Sequence, residues 1–379
     1  MAVFKASRLL LLCVAAYSFA QDHPKHVSRD GAVAPQQVSL NELSTVEVPS
    51  LPAESIGAPL LCDPADRVIF RMATPESGVE DPVSVSKDGK TIVRFGREKI
   101  NDIPSPVLIS MFLNGSDVYI LTGGTTPLGH QDRVVARKGD TIVSEATRSS
   151  RYIAHFAPDG TYAGAVPLDL PFKPARLGVF ENGDFLIAGA EPSTDEPRLA
   201  IVSSNGQLRR FVELKGDVHG QGDSDTLGKD RDPTTLPRFG PPGTKSLFNA
   251  VYLSQIAKDG PNLLLFRPMN GPVFSISPSG EVTVHELEVK GEYRLYTVKA
   301  TRNLWIAEFL HDVPGSGAVE LSTYAFDPES GAALREYFFP RDLGTGLACV
   351  DGDEFTFVMA NEKTNTLRLV TLAQSAKPN

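Results

Sequence analysis

Short apolar runs separated by tight turns recur along nearly the whole chain. From residue 38 onward, runs of about four to eight residues rich in Val, Ile, Leu, Phe and Tyr alternate with Asp-Gly, Asn-Gly or Ser-Gly pairs. Such runs are typical of strands joined in hairpins, and we find no convincing helical period. The pattern therefore predicts an all-β protein.

The hairpins occur in pairs, and each pair predicts a four-stranded antiparallel sheet. Paired hairpins are found at 107–168, 175–214, 250–287 and 296–339. An opening unit at 59–96 and a closing unit at 346–372 follow the same plan, but the closing unit lacks its outer strand. Segment 40–51 alternates like an outer strand and precedes the first unit. We expect it to complete the last sheet, which removes exposed sheet edges.

An internal repeat links the first and last units. Both Cys62 and Cys349 begin a segment that reads Cys-x-x-x-Asp-x-x-x-Phe-x-Met-Ala. In a closed ring of similar units the first and the last are neighbours, so we expect a Cys62–Cys349 disulfide. The alternative is two buried free thiols that pack as small apolar side chains.

Two hairpins carry a resemblance to a known group of proteins. In segments 152–168 and 175–190, a phenylalanine near the end of the first strand is followed by an Asp-Gly or Asn-Gly turn. These segments resemble the strand pairs of the NHL, YVTN and TolB group of six-bladed propellers. The four paired hairpins, the opening unit and the closing unit make six, so the count predicts a β-propeller of six four-stranded antiparallel blades closed by the N-terminal strand, and the resemblance agrees with it. Gly123 and Gly189 replace the Asp that often ends the second NHL strand, so its role is not carried over.

The N-terminus has the organisation of a secretory signal. Lys5 and Arg8 precede an apolar run at 9–17, and small residues stand at 18 and 20. We expect a secreted or periplasmic protein cleaved near Ala20. The predicted organisation is a signal peptide at 1–20, a disordered leader at 21–37, a single propeller domain at 38–373 and a disordered tail at 374–379.

The charge pattern argues against two classes of partner. The net charge is −9 at pH 7, and no basic cluster stands out as a contact for nucleic acid. No later apolar segment reaches the roughly 20 residues that a membrane-spanning helix needs. We therefore expect no nucleic-acid partner and no membrane-spanning segment. We also expect the protein to be a monomer.

Two insertions interrupt the regular spacing of the strands. Segment 124–150 joins strands two and three of its unit, and 216–247 joins two units, so both fall on one face of the predicted ring. The tight turns fall on the other face. Because long loops on a rigid scaffold often carry binding sites, we expect the site at the channel mouth on the face with the insertions.

The first insertion predicts an extra hairpin that turns at 138–140. Its ionisable groups are His130, Asp132, Arg133, Arg148 and Arg151. Such a basic cluster can clamp a carboxylate or a sugar phosphate. The alternative is a solvated hairpin whose charges keep the chain in solution.

The second insertion is rich in acidic residues and glycines. Its candidate metal ligands are Asp217, His219, Asp223, Asp225, Asp230 and Asp232. Oxygen ligands on a loop suit Ca²⁺. However, Leu227 falls where the EF-hand pattern needs its third ligand, and no glutamate follows at the twelfth position. The alternatives are therefore a Ca²⁺ site and a polar loop without metal, and no other cofactor is expected.

The chain contains none of the common catalytic motifs. Gly-x-Ser-x-Gly, His-Glu-x-x-His and a phosphate-binding loop are all missing from the sequence. We therefore expect a binding or scaffold module for a peptide, glycan or protein partner, or a sensor or assembly subunit as TolB-like propellers are. The alternative is a metal-dependent hydrolase or lyase of the lactonase kind, with a channel site built from distant positions such as His155 and His311.

Overall fold

A computed structural model describes most of the chain from residue 34 to residue 374. It leaves out 53–55, 74–79, 138–139, 192–196, 215–253, 267–271, 288, 290–293, 313–318, 341–342, 344–345 and 362, and it describes only the backbone of 125–149. The described residues form 24 strands and one 3-10 turn, Arg97–Lys99. The expectation of an all-β protein is confirmed.

Strand β1 (Gln36–Pro52) is followed by four sheets of four strands each, and every sheet is antiparallel with its strands in chain order. The first sheet contains β2 (Ile56–Cys62), β3 (Val68–Ala73), β4 (Glu80–Val85) and β5 (Ile92–Arg94). The second contains β6 (Val107–Asn114), β7 (Asp117–Arg137), β8 (Asp140–Phe156) and β9 (Tyr162–Leu168). The third contains β10 (Lys173–Val179), β11 (Phe185–Ala190), β12 (Pro197–Val202) and β13 (Leu208–Phe211). The fourth contains β14 (Gln255–Asp259), β15 (Asn262–Phe266), β16 (Val273–Ile276) and β17 (Val282–His285).

The remaining strands join β1 in one eight-stranded sheet. They are β18 (Arg294–Ala300), β19 (Trp305–Asp312), β20 (Val319–Phe326), β21 (Ala333–Phe338), β22 (Leu347–Asp351), β23 (Glu354–Asn361) and β24 (Thr366–Gln374). Their order is β18-β19-β20-β21-β1-β24-β23-β22, so β18 and β22 are the two edges of this sheet.

Strand β1 holds the two halves of the eight-stranded sheet together. Residues 36–39 pair in parallel with β21, and from Leu40 to Pro52 the strand pairs antiparallel with β24. Leu40 and Val48 are buried, whereas Leu43 is exposed, as expected for a strand with one face against the core. The segment predicted at 40–51 therefore does complete the sheet of β22, β23 and β24.

The predicted disulfide between the repeated segments is present. Cys62 at the end of β2 is bonded to Cys349 in β22. Phe70 and Phe357, which occupy the same position in the two repeats, are both fully buried. The repeat therefore marks two neighbouring sheets that are packed in a similar way.

The hydrophobic core is distributed over the contacts between neighbouring sheets. Trp305 in β19, for example, packs in a cluster with residues of β15 and β16, and Met72 in β3 packs in a cluster with residues of β1, β22 and β24. Each sheet thus buries its faces against the sheets on either side, as expected for modules that contact only their neighbours. The described chain is an all-β propeller.

Candidate functional site

A cavity of about 860 Å³ lies where the first strands of the sheets meet. Residues of β2, β6, β10, β14, β18 and β22 line it, so it is enclosed by the first strand of every four-stranded sheet and by both edges of the eight-stranded sheet. Its position at the centre of the propeller makes it the place where side chains from distant parts of the sequence come together.

The side chains of Lys258 and Lys299 lie at the end of the cavity where the lining strands end. Lys258 Nζ, from β14, donates to Asn114 Oδ1 and to the Val179 carbonyl oxygen, each at 3.3 Å. Lys299 Nζ, from β18, donates to the Leu60 carbonyl oxygen at 2.9 Å. Each lysine therefore connects strands of different sheets through neutral oxygen atoms.

A buried carboxyl group lies on the same sheet face as Lys299. The Cα partner of Glu308 in β19 is Thr297, and Lys299 follows two residues later, so the two ionisable side chains share one face. Glu308 is only 1% exposed, and its Oε2 atom has no hydrogen-bond partner among the described residues. Thr323 Oγ1, on the next strand, is also buried without a described partner.

Burial changes the proton affinity of these groups. It lowers the pKa of Lys299 and raises the pKa of Glu308, and the opposite charge of each group opposes the shift of the other. Burial also lowers the pKa of Lys258, against the charge of Glu181. In each case removal from water disfavours the charged form.

Two arginines line the cavity toward the end at which the lining strands begin. Arg71 Nη2 donates to the Ile109 carbonyl oxygen at 3.0 Å, and Arg71 Nη1 lies 3.3 Å from Glu80 Oε2. Arg176 Nε donates to the Ser254 carbonyl oxygen at 2.8 Å. These contacts hold the guanidinium groups across the junctions between neighbouring sheets.

The first insertion forms a two-stranded ribbon that continues β7 and β8. The pairing runs from Gly124 and Ser150 to Pro127 and Thr147, where the register shifts. From Asp132 it continues to Arg137 and Asp140, which agrees with the predicted extra hairpin. Because Gly123 pairs with Val107 at the start of β6, the ribbon leaves the sheet on the face where the lining strands begin. The ribbon therefore extends past the ends of β6 and β9 on that face.

The structure places the backbone of the predicted binding residues in this ribbon. His130, Asp132 and Arg133 are in β7, and Arg148 is in β8, but their side chains lie outside the described residues. Arg151 is described, and its Nη1 donates to the Ser150 carbonyl oxygen at 3.3 Å. Their clustering around a ligand therefore remains a prediction.

The acidic loop lies outside the described residues. This applies to all six of its candidate ligands, namely Asp217, His219, Asp223, Asp225, Asp230 and Asp232. Among the residues that are described, no three His, Cys, Asp or Glu side chains come together as a metal site. None of the described residues forms a long apolar helix of the kind that crosses a membrane.

The two histidines considered for a channel site are not brought together. His155 in β8 lies 2.9 Å from Asp117 through Nε2 and stacks on Tyr119 with a ring distance of 4.6 Å. His311 is in β19, where its Nε2 lies 3.6 Å from Glu320. Neither histidine lines the central cavity.

The charged residues of the cavity are not among the site residues predicted from the sequence, although the sequence contains a signal for them. Lys258, Lys299 and Glu308 each stand inside or at the end of a run predicted as an inner strand. A charged residue in a strand that is buried on both faces is costly unless it is paired and hydrogen-bonded. That conflict would have marked these residues as candidates.

Comparison with known proteins yields distant structural similarities. No protein-family model matches the chain, and neither does any curated protein sequence. A protein of unknown function from Dyadobacter fermentans is similar at 12% identity, over 89% of this chain and 99% of that chain, with a TM-score of 0.47. Virginiamycin B lyase from Staphylococcus aureus is similar at 11% identity, over 89% and 100%, with a TM-score of 0.40.

A third similar structure is described as a propeller. It is the β-propeller domain of the Trilobed protease from Pyrococcus furiosus, at 9% identity over 86% of each chain, with a TM-score of 0.38. At these identities and TM-scores, no activity, ligand or partner is carried over to this chain.

Proposed function

We propose that this protein is an exported six-bladed propeller of the NHL, YVTN and TolB kind that binds a peptide or protein partner. In this proposal the partner occupies the face that carries segments 124–150 and 216–247. The signal-like N-terminus and the Cys62–Cys349 disulfide support export, because disulfides persist in oxidising compartments.

The division of the eight-stranded sheet into two blades supports a blade count of six. Each four-stranded sheet counts as one blade. The eight-stranded sheet counts as two, β18–β21 and β22–β24 with β1, because β1 pairs with β21 only over residues 36–39. The six lining strands of the cavity support the same count, since each blade of a propeller contributes one strand to the channel.

The observation that carries the binding proposal is the pair of open edges on the β7–β8 ribbon. Strand β6 pairs with β7 no further than Gly123, and β9 pairs with β8 only from Arg151 onward. Beyond these points each ribbon strand pairs, among the described residues, only with the other. Its outer edge therefore presents backbone N–H and C=O groups without a strand beside them.

An extended polypeptide is the partner that best fits such an edge. A two-stranded ribbon is marginally stable in water, and a peptide that adds a third strand supplies the missing hydrogen bonds. A glycan has no peptide N–H and C=O groups with which it could add a strand to the ribbon. Among peptide, glycan and protein partners, the ribbon thus favours a peptide or an extended segment of a protein.

The test compares the full protein with a variant that lacks the ribbon. Residues 125–149 are replaced by Asn-Gly, which joins the paired residues Gly124 and Ser150 through a two-residue hairpin turn and leaves the sheet intact. Peptides are selected from a random library on the wild-type protein, and their affinities for both proteins are measured. A second variant without 216–247 measures the contribution of that loop.

We expect the selected peptides to lose most of their affinity for the ribbon-deleted variant. We also expect them to slow amide hydrogen exchange at 124–137 and 140–150 in the wild-type protein. An unchanged unfolding midpoint serves as the control for an intact propeller. Equal peptide affinity in the presence and absence of the ribbon would refute the proposal.

A further inference from the structure

Two lysines at one end of the central cavity have no described carboxylate in direct contact. Lys258 and Lys299 both line it, and neither ammonium group lies within 4.0 Å of a carboxylate among the described residues. Of the acidic lining residues, Asp63 lies 2.5 Å from Arg67 and Asp66 lies 3.8 Å from Lys87, and the charge of Asp351 also acts on Lys87. Glu308 acts on Lys299, and Glu181 on Lys258, through their charge without a direct ion pair. Buried ammonium groups without a carboxylate in contact are incompletely compensated, so the space beside them favours an anion.

The two lysines also keep unused hydrogen-bond donors. An ammonium group has three N–H donors. Lys299 uses one on the Leu60 carbonyl oxygen, and Lys258 uses two on Asn114 and Val179. Among the described residues, three of the six N–H groups therefore have no acceptor, and a ligand with several oxygen atoms would satisfy them.

Glu308 adds a third polar group aimed into the same cavity. It lines the cavity, it is 1% exposed, and its Oε2 has no described partner. Burial raises the pKa of this carboxyl group, which favours the protonated form. A protonated carboxyl group donates a hydrogen bond, and a buried donor without an acceptor is costly.

The rest of the cavity wall suits an apolar body. Ile109, Met111, Leu177, Val298 and Leu347 are among its lining residues. The volume of about 860 Å³ falls within the range of roughly 300–1,000 Å³ found for small-molecule sites. The cavity thus combines two incompletely paired ammonium groups with apolar walls.

From this combination we propose that the central cavity binds a small organic carboxylate. The ammonium groups of Lys258 and Lys299 hold its carboxylate, Glu308 donates a further hydrogen bond to it, and the apolar walls contact its carbon skeleton. This site goes beyond the proposed peptide-binding ribbon, because it takes a different ligand at a different place in the propeller.

Thermal unfolding with a set of small anions tests the proposal. The probes are acetate, benzoate, succinate and citrate, each compared with sodium chloride at the same ionic strength. Benzamide and benzylamine serve as neutral and cationic analogues of benzoate. We expect at least one carboxylate to raise the unfolding midpoint by about 2 °C or more, while benzamide and benzylamine do not.

Substitutions identify the groups responsible for this stabilisation. Lys299→Met and Lys258→Met are expected to abolish the carboxylate-dependent shift. The unfolding midpoint of each variant without added anion shows that it is folded, and the carboxylate-dependent shift is measured from that midpoint. Lys90→Met, at a lysine side chain that is 83% exposed, is the matched control and should keep the shift.

Glu308→Gln distinguishes an anionic from a cationic ligand. Glutamine keeps a hydrogen-bond donor, so the variant should still respond to the carboxylates. The proposal is overturned if no carboxylate stabilises the protein, if benzylamine stabilises it and Glu308→Gln removes that effect, or if Lys299→Met responds to carboxylates as the wild type does.

Discussion

Cys62 and Cys349 are bonded with their Cα atoms 5.1 Å apart, although 287 residues separate them in the chain. The bond joins β2, in the first sheet, to β22, at the edge of the last. Lys87, in the turn after β4, forms an ion pair with Glu354 of β23 across the same junction, with Nζ 2.7 Å from Oε2. The ends of the propeller are thus connected by a covalent bond and an ion pair.

Removing this disulfide should destabilise the protein. A cross-link over so long a loop restricts the unfolded chain, so the double variant Cys62→Ser/Cys349→Ser should lose about 2–5 kcal/mol of unfolding free energy. Urea denaturation followed by the fluorescence of Trp305, the single tryptophan, measures this loss. A reductant should lower the wild-type midpoint and leave that of the variant unchanged. A variant as stable as the oxidised wild type would contradict the prediction.

The contribution of β1 can be tested with matched leucines on one strand. Leu40 is 3% exposed and Leu43 is 59% exposed. Leu40→Ala should cost about 2–5 kcal/mol, because it leaves a cavity beside the eight-stranded sheet. Leu43→Ala should change stability by less than about 0.5 kcal/mol. Equal effects in chemical denaturation would show that β1 does not form part of the core as described.

The buried side chain of Asp63 should be important for the turn between β2 and β3. It accepts hydrogen bonds from the backbone N–H groups of Ala65 and Arg67 and forms an ion pair with the Arg67 guanidinium at 2.5 Å. Asp63→Asn leaves Arg67 largely buried without its counter-ion and should cost roughly 3 kcal/mol in denaturant unfolding.

The control for this substitution is Asp353→Asn. Asp353 is exposed and lies 3.3 Å from Arg335. Because exposed ion pairs contribute little, this change should cost less than about 1 kcal/mol. A similar cost for both variants would mean that burial of the Asp63 pair is unimportant.

His285 should make stability depend on pH. Burial lowers its pKa below the ordinary value, although the charge of Asp259 opposes the shift. A histidine with a lowered folded pKa contributes stability that is present above its unfolded pKa of about 6.5 and is lost as the pH falls through the folded value. His285→Gln should therefore reduce the loss of stability between about pH 7 and the lowered pKa.

The same histidine can be titrated directly. Its ring meets the Trp305 ring edge-on at 4.8 Å, so its protonation should change the tryptophan fluorescence. We expect a fluorescence midpoint below pH 6.5 that is missing from His285→Gln. A midpoint at or above pH 6.5 would contradict the lowered pKa.

Local features of the sequence were enough to predict most of the strands. The turn between β12 and β13 contains Gly206 with a φ of +87°, a conformation that favours glycine, and the Asn-Gly pair at 205–206 indicated this turn. The repeat also predicted the Cys62–Cys349 bond, because similar segments at both ends of a ring become neighbours.

The sequence by itself determined the strands, their turns and the junction of the first and last sheets, because each of these depends on short-range pattern or on repetition. Only the tertiary structure decided which charges meet at the centre. Lys258 contacts Asn114 and Val179, and Lys299 contacts Leu60, only when the sheets pack around one cavity, whereas Lys299 and Glu308 already share a face of one hairpin. Side chains far apart in sequence carry no local pattern that records such a meeting, since it is packing between sheets that brings them together.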